Sequence, residues 1–186
     1  ADKLDDFEIA AAGLLPGPTA APWQITVVGS WDLLGDVKRV EAFNARHDRG
    51  SQRGRAVVEC IEHRIGKAAD VRRIDETVPV PIRSVYEVPL GPALGGILRF
   101  VRQVDGVAKV RTGGPTAEAV PPVGALAEFF VACAREKVPV KATAGLHHAL
   151  RGEHPLGCGG AGGRAVQHGF LNVLVASAVA RIRHDA

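Results

Sequence analysis

Five short apolar runs, set apart by stretches with helical periodicity, constrain this chain more than any other feature. They are Gln24–Val28, Ala56–Ile61, Ser84–Val88, Val107–Arg111 and Val138–Thr143. Between the first two, Asp32–His47 carries Leu33, Val37 and Val40 on one helical face. Lys67–Glu76 is polar and reads as a helix. In Pro92–Val104, Leu94, Ile97, Leu98 and Val101 follow the i, i+3, i+4, i+7 spacing of an amphipathic helix. Pro121-Pro122 opens a further helix, as proline does at a first turn, and Leu126, Phe129, Phe130 and Cys133 form its apolar face.

Strands alternating with helices require crossover connections, and these produce a parallel sheet. Apolar runs without strict alternation fit strands covered on both faces. Five such strands, or six if Phe170–Val175 is extended, fall short of a closed eight-stranded barrel, which takes roughly 250 residues. The expected fold is therefore α/β: a parallel (β/α) barrel, or the C-terminal part of one lacking its N-terminal units. An open doubly wound sheet is the alternative. The glycine-rich segment does not follow the first strand, so the dinucleotide fingerprint is absent. Residues 1–186 read as a single domain. Within it, residues 1–22 form a helix (Leu4–Leu15) and a Pro/Gly/Ala connection. The last stretch, Ala165–Ile182, reads as one helix or as a strand followed by a helix.

Composition narrows the function. Hydrophobic residues at 46% and charged residues at 23% are ordinary for a globular domain. A net charge of +3, with acids interspersed among the bases and 5% aromatics, argues against a nucleic-acid partner. Cys60, Cys133 and Cys158 match no disulfide or zinc framework, which points to a reducing cytoplasm. The longest apolar run, Val173–Ala180, is too short to span a membrane, and no signal peptide is visible. The chain starts at Ala1 and contains no Met, which suggests a trimmed N-terminus and modified methionines lost from the sequence.

In parallel α/β folds, ligands bind at the carboxyl ends of the strands. Polar residues there are Glu59 or Glu62 with His63, then Glu87, Lys109 and Arg111, and finally Lys141 and Thr143. Period-two alternation sets Lys109 and Arg111 on one face, and Lys141 and Thr143 on one face. Only six lysines occur in the chain, and two of them fall inside neighbouring expected strands. A buried lysine needs a partner or must lose its charge. Beside a second cation it becomes a usable nucleophile toward carbonyls. The structural reading is that both lysines are paired with Glu59 and Glu87.

The segment Ala108-Lys109-Val110-Arg111-Thr112-Gly113-Gly114 resembles the Schiff-base strand of class I deoxyribose-phosphate aldolase-like barrels. Val140-Lys141-Ala142-Thr143-Ala144-Gly145-Leu146 resembles the strand that follows it in that family. The likeness covers about 40 residues. It implies that Lys109 forms the imine and that Lys141 depresses its pKa. Arg111 departs from the small residue usual there, and His147-His148 replace the expected glycine-rich turn.

Two further segments are candidates. Gly157–Gly163, containing Gly159 and Gly160, precedes an expected helix at Arg164, and amides freed by glycines at a helix start attract phosphate. Arg151, Arg164, Arg111, Thr143 and Gly145 complete the expected phosphate-binding set, with a mobile surface loop as the plainer reading. His147 and His148 suit acid-base work or substrate hydrogen bonding. Adjacent histidines on extended chain point apart, so no metal site is expected. Asn172 stands among apolar residues, where it can bond buried backbone.

The expected function is a lyase or aldolase acting on a small, phosphorylated carbonyl compound, with no cofactor. Lys109, Lys141, Glu87, His147 and His148 are its expected catalytic residues. The alternatives are a non-catalytic domain that binds an anionic metabolite, and a metal-dependent barrel that stabilises an enolate through Glu59 and Glu87. The expected partner is a small anionic substrate, with no nucleic acid or membrane; assembly into a homo-oligomer stays open.

Overall fold

A computed structural model describes residues 1–156 and 163–185. It is an α/β fold. Among the described residues, β1 (Trp23–Val28), β2 (Ala56–Arg64), β3 (Arg83–Glu87), β4 (Val107–Arg111) and β5 (Val140–Thr143) form one parallel sheet in the order β1-β2-β3-β4-β5. The expected runs are thus neighbouring strands in chain order. No strand order reversal occurs among them, so the sheet has no topological switch point of the doubly wound kind. The chain folds as two compact units. One comprises Ala1–Arg64 with Arg72–Val85, and the other Ile65–Val71 with Tyr86–Ala186.

The first unit holds α1 (Leu4–Ala10), β1, α2 (Leu33–Arg46) and β2, and α3 (Ala68–Thr77) follows β2 in the chain. Asp32 caps α2, its carboxylate accepting from the Gly35 N–H at 3.0 Å. Val40 and Phe43 of α2 pack against Ala56, Val58 and Ile61 of β2, all fully or almost fully buried. Burial of each Val, Ile or Phe among them contributes about 1.5–3 kcal/mol. Between Ile25 and Thr26 the β1–β2 register shifts by one residue. Asn44 of α2 bonds both backbone groups of Val58. Its Nδ2 donates to the Val58 carbonyl at 3.0 Å, and its Oδ1 accepts from the Val58 N–H at 2.7 Å.

Two buried titratable groups stand at the strand ends of this unit. Burial opposes ionisation of Asp36, but hydrogen bonds from Arg39 and Ser30 outweigh it and hold its carboxyl below the usual range. Burial drives the His63 imidazole down to about 4. Ser84 Oγ lies 3.5 Å from its Nε2.

In the second unit, α4 (Leu94–Gln103) buries Leu94, Ile97, Leu98 and Val101 and packs on β4 and α5 (Val123–Arg135). Leu126, Phe129, Phe130 and Cys133 are the buried face of α5. Burial pushes the Cys133 thiol up to about 12. The helical stretch Ala117–Arg135 has the length and mean hydropathy, 1.4, of a membrane span.

The chain after β5 departs from expectation. β6 (Gly152–Pro155) and β7 (Arg164–Gln167) form a separate antiparallel ribbon, with Gly152 opposite Gln167 and Pro155 opposite Arg164. Arg164 therefore opens a strand, not a helix. The ribbon gains support from Gln167, whose buried amide donates to the Pro155 carbonyl at 2.9 Å. Helix α6 (Phe170–Asp185) follows and packs on α5. An extended Phe170–Val175 is thus also corrected.

Candidate active site

Strands β3, β4 and β5 bring three ionisable side chains to one face. Parallel register pairs Lys109 with Lys141 and Arg111 with Thr143. Register partners in neighbouring parallel strands share a face. The Val88 N–H donates to the Lys109 carbonyl at 3.0 Å, which aligns the end of β3 with β4. Across that step, Lys109 Nζ meets Glu87 Oε2 at 2.9 Å. Lys109 is only 4% exposed. An ammonium so far from water must have its charge compensated, and the Glu87 carboxylate does this. Val110, on the opposite face of β4, is buried.

Above this row the ends of β4 and β5 interlock. The Thr112 N–H donates to the Thr143 carbonyl at 2.8 Å, and the Thr112 hydroxyl donates to the Ala144 carbonyl. Ala144 (φ 66°) and Gly145 (φ 70°) both take left-handed backbone. That is uncommon for alanine, and such conformations concentrate at functional turns. A Cβ at Gly113 would lie 2.8 Å from the Gly145 Cα, and one at Gly145 would lie 2.9 Å from the Gly113 Cα. The two glycines are thus what lets the turns touch. Beside them, the Thr143 hydroxyl is buried without a hydrogen-bond partner.

A cleft of about 560 Å³ opens against these turns. Gly114, Gly145, His147, His148, Leu156 and Gln167 are among its walls. His147 is exposed. The ring of half-buried His148 stacks on His154, centroids 3.4 Å apart and planes 12° from parallel. Desolvation, then the neighbouring His154 and His147, lower the pKa of His148, favouring its neutral form.

The remaining expected residues lie apart from this cleft or outside what is described. Arg111 is exposed at the end of β4. Arg151 is also exposed; its backbone N–H donates to Asn172 Oδ1 at 2.7 Å, the backbone role expected of that asparagine. Arg164 is engaged by Glu153, through its carboxylate at 3.5 Å and its carbonyl at 3.0 Å. Gly159 and Gly160 lie outside the described residues. Among the described residues, no group of three or more His, Cys, Asp or Glu side chains is arranged to hold a metal ion. Sequence reasoning missed Thr112 as a tie between strands, and Gln167 as a cleft wall. Gln167 reaches the cleft only through the β6–β7 ribbon, for which no periodic signal exists.

The arrangement can hold a buried amine beside a proton acceptor; Lys109, Lys141 and Glu87 are not among the residues that line the cleft of His147 and His148. Comparison with known protein families, curated proteins and solved structures finds no match for this chain.

Proposed function

We propose that this chain is the catalytic portion of a (β/α)-barrel lyase or aldolase that acts on a small, phosphorylated carbonyl compound through an imine on Lys109. The observation that carries this reading is the buried Lys109–Glu87 pair with Lys141 as register partner. The strictly sequential strand order supports the barrel reading over the doubly wound one. In the resting site Lys109 is a paired ammonium. For reaction it passes a proton to Glu87, and the freed amine attacks the carbonyl carbon. The carbinolamine then loses its oxygen as water, with Glu87 returning the proton, to leave a C=N bond. Lys141 supplies positive charge next to the row. His147 and His148 face the substrate from the cleft.

Near-complete burial of Lys109 favours a second reading, a non-catalytic domain that binds an anionic metabolite with Arg111. The two separate in one experiment. The chain is incubated with glycolaldehyde or glyceraldehyde 3-phosphate, reduced with borohydride, and mapped by peptide mass spectrometry. An imine-forming Lys109 acquires one permanent adduct, and Lys109→Arg acquires none there, since guanidinium stays protonated. Adducts confined to exposed lysines such as Lys3 would overturn the imine reading.

A further inference from the structure

Helix α6 is apolar nearly all round, and such a helix is normally buried. Here only part of it is covered. Leu171, Val175 and Val179, at successive i+4 positions, line a groove of about 530 Å³ with Val131 of α5 and Leu150. Leu174, Ala178 and Ile182 form the adjoining stripe, also at i+4 spacing. Leu174 is 64% exposed and Ile182 70%. Taken together, the seven large apolar residues of groove and stripe, each between 37% and 70% exposed, make a patch on the scale of the largest of a typical monomer, about 300–600 Å². A standard interface takes roughly 800 Å² from each partner, so a patch of this scale supplies a large part of one.

The spacing of the stripe suits a second copy of this chain. Ala178 stands at the middle of the 16-residue helix, and Leu174 and Ile182 stand one turn to either side of it. A two-fold axis at Ala178 sets Leu174 of one copy against Ile182 of the other, twice. The small Ala178 side chains meet on the axis, where little bulk lets helices approach closely. Antiparallel helices also oppose their macrodipoles favourably. Such a face is complementary to itself, as a two-fold interface must be. We propose that a second copy of this chain covers this face, with α6 packed antiparallel on α6 about Ala178.

Sedimentation velocity of the full chain, from about 1 to about 100 µM, tests this. The expected result is a monomer–dimer equilibrium within that range. Leu174→Glu and Ile182→Lys should each raise the dissociation constant by about a hundredfold, by burying a charge against an apolar side chain. Both positions are exposed, so helical circular dichroism should be unchanged. The double variant sets each new carboxylate against a new ammonium across the axis and should dimerise again. A wild-type chain that stays monomeric throughout overturns the proposal, as do single variants that remain dimeric. A double variant that stays monomeric overturns the antiparallel register. A monomeric chain that pellets with phosphatidylserine vesicles makes the face a lipid surface instead, which also overturns it.

Discussion

Buried ionisable residues give this chain its sharpest testable consequences. His63 titrates at about 4 in the folded chain because burial disfavours the imidazolium, against an ordinary value of 6.5. Between those two values the unfolded chain binds the extra proton and the folded one does not. Stability from this residue is thus fully present above pH 6.5 and is lost as pH falls toward 4, by up to about 3 kcal/mol. Urea unfolding at pH 7 and pH 5 should show the wild type less stable at pH 5, and His63→Gln should reduce that difference. At Gly145 the demand is steric. Alanine there must adopt a φ of +70° and place its Cβ 2.9 Å from the Gly113 backbone. Gly145→Ala should destabilise by about 1–3 kcal/mol, read as a lower urea midpoint with an unchanged m-value. Glu87 adds a third case. Glu87→Gln removes the carboxylate charge 2.9 Å from the buried Lys109 ammonium, and should cost about 3–5 kcal/mol. Thermal denaturation checks it.

At the scale of elements, polar side chains complete what the backbone ladders leave open. Asn44 reaches from α2 to Val58 of β2 and bonds both its N–H and its carbonyl, as a neighbouring strand would. Asn44→Ala removes a donor and an acceptor together, and stranded buried backbone groups cost about 1–3 kcal/mol each. The variant should lose about 2–4 kcal/mol in urea unfolding. Hydrogen exchange should quicken at Val58 ahead of Val110 in β4, which lies in the other compact unit. Gln167 performs a comparable service for the ribbon, tying β7 to the Pro155 carbonyl of β6.

For the whole molecule, the apolar face of α6 decides how stability depends on concentration. Anything that binds the folded state alone raises its stability by mass action. If a second copy covers that face, the Tm rises with protein concentration, and the rise disappears in Leu174→Glu. Scanning calorimetry over a hundredfold range of concentration, with the two chains side by side, measures it.

Much of this protein was legible in the chain itself. The strand-and-helix alternation and the buried faces of α4 and α5 follow from periods of 2 and 3.6 residues, whereas the β4–β5 register sets Lys109 beside Lys141. Those periods are local properties that a sequence states directly. The residues alone paired Lys109 and Lys141 with Glu59 and Glu87 without assigning which acid meets which lysine. That depended on how far β3 runs beside β4. The register shift between β1 and β2, the Thr112 tie to Ala144, the Gly113–Gly145 contact and the His148–His154 stack were decided by tertiary structure alone. Each joins residues whose spacing carries no period, so only the folded path of the backbone brings them together.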